Sequence, residues 1–126
     1  MKVSFFNSRS WQPGLPGAMS IMSWNCQGLG NPSAVPTLRD LARKYRLDIL
    51  FLCETLVHAN RIEEVRVRLG FDASFVVDKI GRSGGLAIFW KYPFGCNLIN
   101  YSQNFVNMEV IRPHYPIHRL LWVSRE

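Results

Sequence analysis

Two apolar runs in this chain each end on a polar residue able to do chemistry. Ile21-Met22-Ser23-Trp24 runs into Asn25, and Asp48-Ile49-Leu50-Phe51-Leu52-Cys53 runs into Glu54. An amide that donates and accepts, set beside a carboxylate that only accepts while ionised, suits a divalent cation and one oxygen of its phosphate ligand. The same pair also reads as a turn opener and a solvated strand terminus, because single polar residues commonly end strands.

What would bring the pair together is the segment between them. Val35, Leu38, Leu41, Ala42 and Tyr45 recur at helical spacing, with Arg39, Asp40, Arg43 and Lys44 on the other face. This predicts an amphipathic helix over about 33–45, with Pro36 in its first turn, where a missing N–H costs little. Gly28 and Gly30 permit the sharp turn before it. If the flanking strands are parallel, the right-handed crossover puts their carboxyl ends on one sheet edge, where ligand sites of open α/β sheets lie. The helix's basic residues are most simply a solvated face.

Further on, Asn60 and Glu63 have capping-box spacing, Ile62, Val65 and Leu69 supply an apolar stripe, and Gly70 stands where a helix would end. A second short helix is expected, with Glu63 and Glu64 near its start complementing its dipole. His58 falls beyond a strand end, so it reads as a surface loop residue rather than half of a metal pair with Glu54. Strands are expected over 74–77 and 86–90, joined by the glycine-rich turn Gly81-Arg82-Ser83-Gly84-Gly85. No Gly-Lys-Ser/Thr closes that turn and a strand follows it, which excludes a Walker loop. Three further strands, over 96–101, 105–111 and 118–123, make the second half an antiparallel meander. The four tryptophans read as packing residues.

The chain has 126 residues, 48% of them apolar, enough for one modest packed domain. Lys and Arg outnumber Asp and Glu by 15 to 9, a net charge of +6 that favours polyanionic partners. Cys26, Cys53 and Cys96 are odd in number and form no CxxC pair, so free thiols without a disulfide partner are expected, in a reducing, intracellular compartment. No apolar run approaches the ~18 residues that cross a membrane. The opening 18 residues, broken by Pro13, Gly14, Pro16 and Gly17, read as a flexible extension before a domain over 19–126.

Three stretches together carry a resemblance: Ser23-Trp24-Asn25-Cys26-Gln27-Gly28-Leu29-Gly30, Asp48 through Thr55, and Gly81 through Trp90. They resemble the amino-terminal half of an endonuclease/exonuclease/phosphatase (DNase I-like) domain, most of all the version carried by plant LINE-type retrotransposons, over roughly Met19 to Val123. The resemblance implies an α/β (α+β) fold, an incomplete two-sheet sandwich in which one mixed sheet with two helices is followed by the meander. It further implies that the second sheet is lacking and that one apolar face is left bare.

The resemblance also assigns roles. Asn25 matches the asparagine that orients metal or phosphate, and Glu54 the glutamate that binds Mg²⁺ or Mn²⁺. Arg82, Ser83 and Gly84 would lie against a DNA phosphate, whereas the residues alone read only as a hairpin turn with positive φ. The family's Gly-Asp-x-Asn and Ser-Asp-His motifs do not occur here, and His58, His114 and His118 stand in the wrong contexts to replace the missing base. The expectation is therefore a truncated metal-dependent phosphodiesterase with little or no activity, its partner the DNA backbone and its place plausibly the nucleus. The competing readings are a non-catalytic basic fragment that binds nucleic acid, and a decayed transposon product.

Overall fold

The computed structural model describes residues 2–7, as backbone, and 19–124. Two sheets are stacked face to face, and two helices cover the far side of the larger one.

The larger sheet holds β1 (Lys2–Asn7), β2 (Ser20–Asn25), β3 (Ile49–Cys53), β4 (Ala73–Val77) and β5 (Leu86–Trp90), in the order β1-β2-β3-β5-β4. β2 and β3 are parallel neighbours, which meets the condition for their carboxyl ends to share one edge, with Asn25 registered against Cys53. The crossover between them is α1 (Ala34–Lys44), whose buried Ala34, Val35, Leu38 and Ala42 lie on the sheet. Tyr45, expected in that stripe, follows the last helical residue and is exposed. β4 and β5 form the predicted hairpin, Val77 opposite Leu86.

The extension expected over 1–18 contains a strand: β1 pairs antiparallel with β2 along its whole length, from Lys2 against Asn25 to Asn7 against Ser20. That pairing gives the free edge of β2 a partner for its main-chain groups, a demand that reading the Pro and Gly residues alone did not register. Residues 8–18 lie outside the described residues, and the expectation for them with them.

α2 (Ala59–Leu69) ends as predicted, with Gly70 in the left-handed region at φ 82° and its N–H donating to the carbonyls of Arg66 and Val67. Its start differs. The helix opens after His58 with no side-chain cap, so the capping box of Asn60 and Glu63 does not form. Beginning two residues earlier, it leaves Glu63 and Glu64 in its second turn, where they pair with Arg66 and Arg61 instead of answering the dipole.

The smaller sheet consists of β6 (Gly95–Tyr101), β7 (Phe105–Ile111) and β8 (His118–Val123), paired in that order as the predicted meander. It corrects one expectation outright, because the meander is itself the second sheet. Val106, Met108, Val110 and Trp122 close over Ile21, Ile49, Phe51 and Ile88, and no bare face remains on that side of the larger sheet. Phe51 and Trp122 stack across the gap with ring centroids 4.8 Å apart and planes 12° from parallel. Burying aliphatic or aromatic side chains is worth about 1.5–3 kcal/mol each, so the inter-sheet layer is a main source of stability. The helix-facing layer, with Trp24, Leu52, Phe89 and Ile62, forms a separate cluster.

Candidate active site

The carboxyl ends of β2 and β3 and the β4–β5 turn meet on one edge of the larger sheet, tied together through the backbone. The N–H of Cys26 donates to the Cys53 carbonyl, that of Gly28 to Glu54, and that of Leu29 to Thr55, each at 2.9 Å. The N–H groups of Thr55 and Leu56 donate in turn to the carbonyls of Gly85 and Gly84, at 3.3 and 3.2 Å. Loops that otherwise carry unsatisfied polar groups thus become a small extension of the sheet.

This edge also concentrates unusual backbone geometry. Gln27, Glu54 and Leu56 have φ of 49°, 49° and 57°, and Gly28, Gly84 and Gly85 have φ of 100°, 81° and 93°. Non-glycine residues adopt this region rarely, and such residues cluster at ligand clamps and active sites, where the surroundings hold them in place. Glu54 therefore does not simply continue β3. The left-handed turn at Glu54 and Leu56 redirects the chain, and both residues come to line a cleft.

That cleft encloses about 240 Å³. Glu54 and Leu56 form one side, Arg82, Ser83 and Gly84 of the β4–β5 turn another, and Gln103 and Asn104 of the β6–β7 turn a third, with Ser124 beyond the end of β8. Four of the five residues singled out in the sequence thus share one cavity. Asn25 is on the same edge, as the last residue of β2, one register step from Glu54. It does not line the cleft; its Oδ1 accepts the N–H of Gln27 at 3.1 Å, which makes it the turn opener that was the plainer reading. Gln103, Asn104 and Ser124 were missed. The polar tip Ser102-Gln103-Asn104 between two strands is visible in the sequence, but only the stacking of the sheets shows that it faces Glu54.

The three thiols are insulated by burial. Burial raises the pKa of Cys26, with the neighbouring Cys53 and Glu54 adding to it; burial likewise raises Cys53, and pushes Cys96 up to about 12. No disulfide joins the three cysteines. His58 is an exposed residue whose Nδ1 lies 3.5 Å from the Asp78 carboxylate, and it does not line the cleft.

A model of the Endonuclease/Exonuclease/phosphatase family matches residues 22–125. The chain belongs to that family. As a member of the endonuclease/exonuclease/phosphatase family, it is also similar in fold to an AP endonuclease from Leishmania major, with a TM-score of 0.56 and 15% identity. That similarity covers 82% of this chain and 39% of the neighbour, so the chain spans well under half the length of the structure it matches. No curated protein matches it at the level of sequence. The mixed α+β, DNase I-like fold is thereby shown. No described helix of this family member is long and apolar enough to cross a membrane.

The metal expected from the resemblance can be tested against the donors. Among the described residues no three His, Cys, Asp or Glu side chains are placed to hold a metal ion together. The cleft offers a single carboxylate, with amides and hydroxyls around it. Mg²⁺ takes oxygen ligands in near-octahedral geometry, usually with one or two carboxylates and substrate phosphates. The described residues do not form a metal centre by themselves.

Proposed function

We propose that this is a phosphodiesterase domain of the DNA-nicking kind, related to the endonucleases of LINE-type retrotransposons, which holds a nucleic-acid phosphate in the Glu54–Arg82 cleft. The observation that carries the reading is the meeting of Glu54 and Arg82 in one cavity built from turns of both sheets. Arg82 supplies a permanent positive charge and a planar donor fork suited to phosphate oxygens. Ser83 adds a hydroxyl donor, and Gly84, without a side chain, lets the backbone approach closely. Glu54 accepts a hydrogen bond from water and so orients it beside the phosphate. Asn25, through its turn with Gln27, positions the loop hydrogen-bonded to Glu54.

Turnover by this polypeptide is expected to be slight. A positioned general base is worth about 10²–10⁴-fold, and the cleft's described lining contains no histidine. The same observation favours a second reading, a basic domain that binds nucleic acid through backbone phosphates without cleaving it. A plasmid-nicking assay with Mg²⁺, run on the native chain and on Glu54→Gln, separates the two. Metal-dependent nicking lost in the variant supports the phosphodiesterase. Binding that weakens with salt and is not accompanied by nicking supports the second reading. Neither nicking nor binding would remove both.

A further inference from the structure

We propose that Gln103 and Asn104 read a nucleobase, with adenine the preferred one. The inference rests on the cleft being a nucleic-acid site. Both residues are exposed at the tip of the β6–β7 hairpin and form the wall opposite the β4–β5 turn. A Cβ built on Gly84 would meet Oε1 of Gln103 at 4.0 Å, so the two turns face each other closely.

The tip is held by its own backbone. The Ser102 N–H donates to the Phe105 carbonyl at 2.9 Å, the Asn104 N–H to the Ser102 hydroxyl at 3.1 Å, and the Ser124 N–H to the Asn104 carbonyl at 2.7 Å. None of these bonds uses the side-chain amides. Among the described residues, neither head group has a hydrogen-bond partner, and two unspent amides are thus presented to the cleft by a fixed turn.

The chemistry of the two walls differs. A phosphate offers acceptors alone and is served by Arg82. A side-chain amide offers an acceptor and donors in one plane, which matches the donor–acceptor edge of a base and, in its bidentate form, adenine N6 and N7. Size points the same way. At about 240 Å³ the cleft is below the roughly 300–1,000 Å³ typical for whole small ligands. It accommodates one unit of a polymer whose remainder lies outside.

The test is fluorescence anisotropy of the full chain at low salt with labelled deoxyadenosine, deoxythymidine and deoxycytidine homo-oligonucleotides of equal length. The native chain is expected to prefer deoxyadenosine by about tenfold, the scale of one good bidentate base contact. In Gln103→Ala/Asn104→Ala the preference collapses while salt-sensitive binding persists, with thermal unfolding confirming that the fold is retained. Gln103→Glu, which keeps the side-chain shape, moves the preference toward deoxycytidine, whose N4 donates to a carboxylate. Equal binding of all three oligonucleotides by the native chain, or a preference that survives in the alanine variant, overturns base reading and leaves phosphate binding standing. Absence of binding to any of them overturns the cleft assignment as well.

Discussion

Gly85 has no side chain because Thr55 occupies the space. A Cβ placed on Gly85 would lie 2.2 Å from Thr55 Oγ1, and Thr55 is the one buried polar residue among those described. The contact joins the β4–β5 turn to the segment carrying Glu54 and explains the second glycine of the Gly84-Gly85 pair better than turn geometry alone.

Gly85→Ala therefore adds overpacking to a φ of 93° that alanine tolerates poorly. A loss of about 2–5 kcal/mol is expected in chemical denaturation, from roughly 1–3 kcal/mol of overpacking and 1–2 kcal/mol of backbone strain. Combining it with Thr55→Ala, which removes the closest atom, should cost less than the sum of the two single changes. Strict additivity would mean that the two residues do not press on each other.

Trp122→Ala removes half of the inter-sheet stack with Phe51 and should cost about 3–5 kcal/mol. The denaturation midpoint reports it directly. A surface tryptophan would lose a small fraction of that, and a loss below about 1 kcal/mol would mean that the two sheets are not packed as described.

Asp48 gives the pH dependence. Burial raises its pKa above the ordinary value, against the opposing effects of the Ser20 N–H bond and of Arg112 and Lys91. The folded state thus holds this proton more firmly than the unfolded chain, and Asp48 makes the fold less stable as pH rises through the carboxylate range. Asp48→Asn keeps an acceptor for the Ser20 N–H, which donates to Oδ2 at 2.9 Å. The variant is expected to be the more stable protein at neutral pH, with the advantage shrinking as the solution is acidified through about pH 4. Thermal melts across that range check the sign.

The thiols should be slow. With Cys26, Cys53 and Cys96 all raised by burial, little thiolate exists at pH 8, and a disulfide reagent should modify the folded chain far more slowly than a free cysteine. In denaturant all three should react at once. A fast-reacting thiol in the folded protein would contradict the burial described for it.

The strands were readable where apolar runs met sharp punctuation. β5, β7 and β8 have the bounds expected from sequence, and the strand-helix-strand unit of β2, α1 and β3 was legible, with its parallel pairing only a condition. Layering was harder to see. Val106, Met108 and Val110 alternate with less buried neighbours, which marks β7 as a strand with one face on a core, yet nothing in that alternation says which core. The bare-face expectation arose from this gap, although the covering residues lie within the chain. Helix starts were the weakest point: Asn60 and Glu63 have the spacing of a cap but fall inside α2, because the chain enters the helix already extended at His58. At the site, a resemblance in three short stretches led to Glu54 and Arg82, while Gln103 and Asn104 became visible only in three dimensions, being distant in sequence and brought near by stacking.

The cleft's two facing turns belong to different sheets, one to the larger and one to the smaller. Its width is consequently a property of the spacer layer below, where Phe51 meets Trp122, rather than of either turn. A substitution deep in that layer, touching no ligand, would change how far apart the jaws stand, so grip strength and thermal resilience should rise and fall together in this molecule.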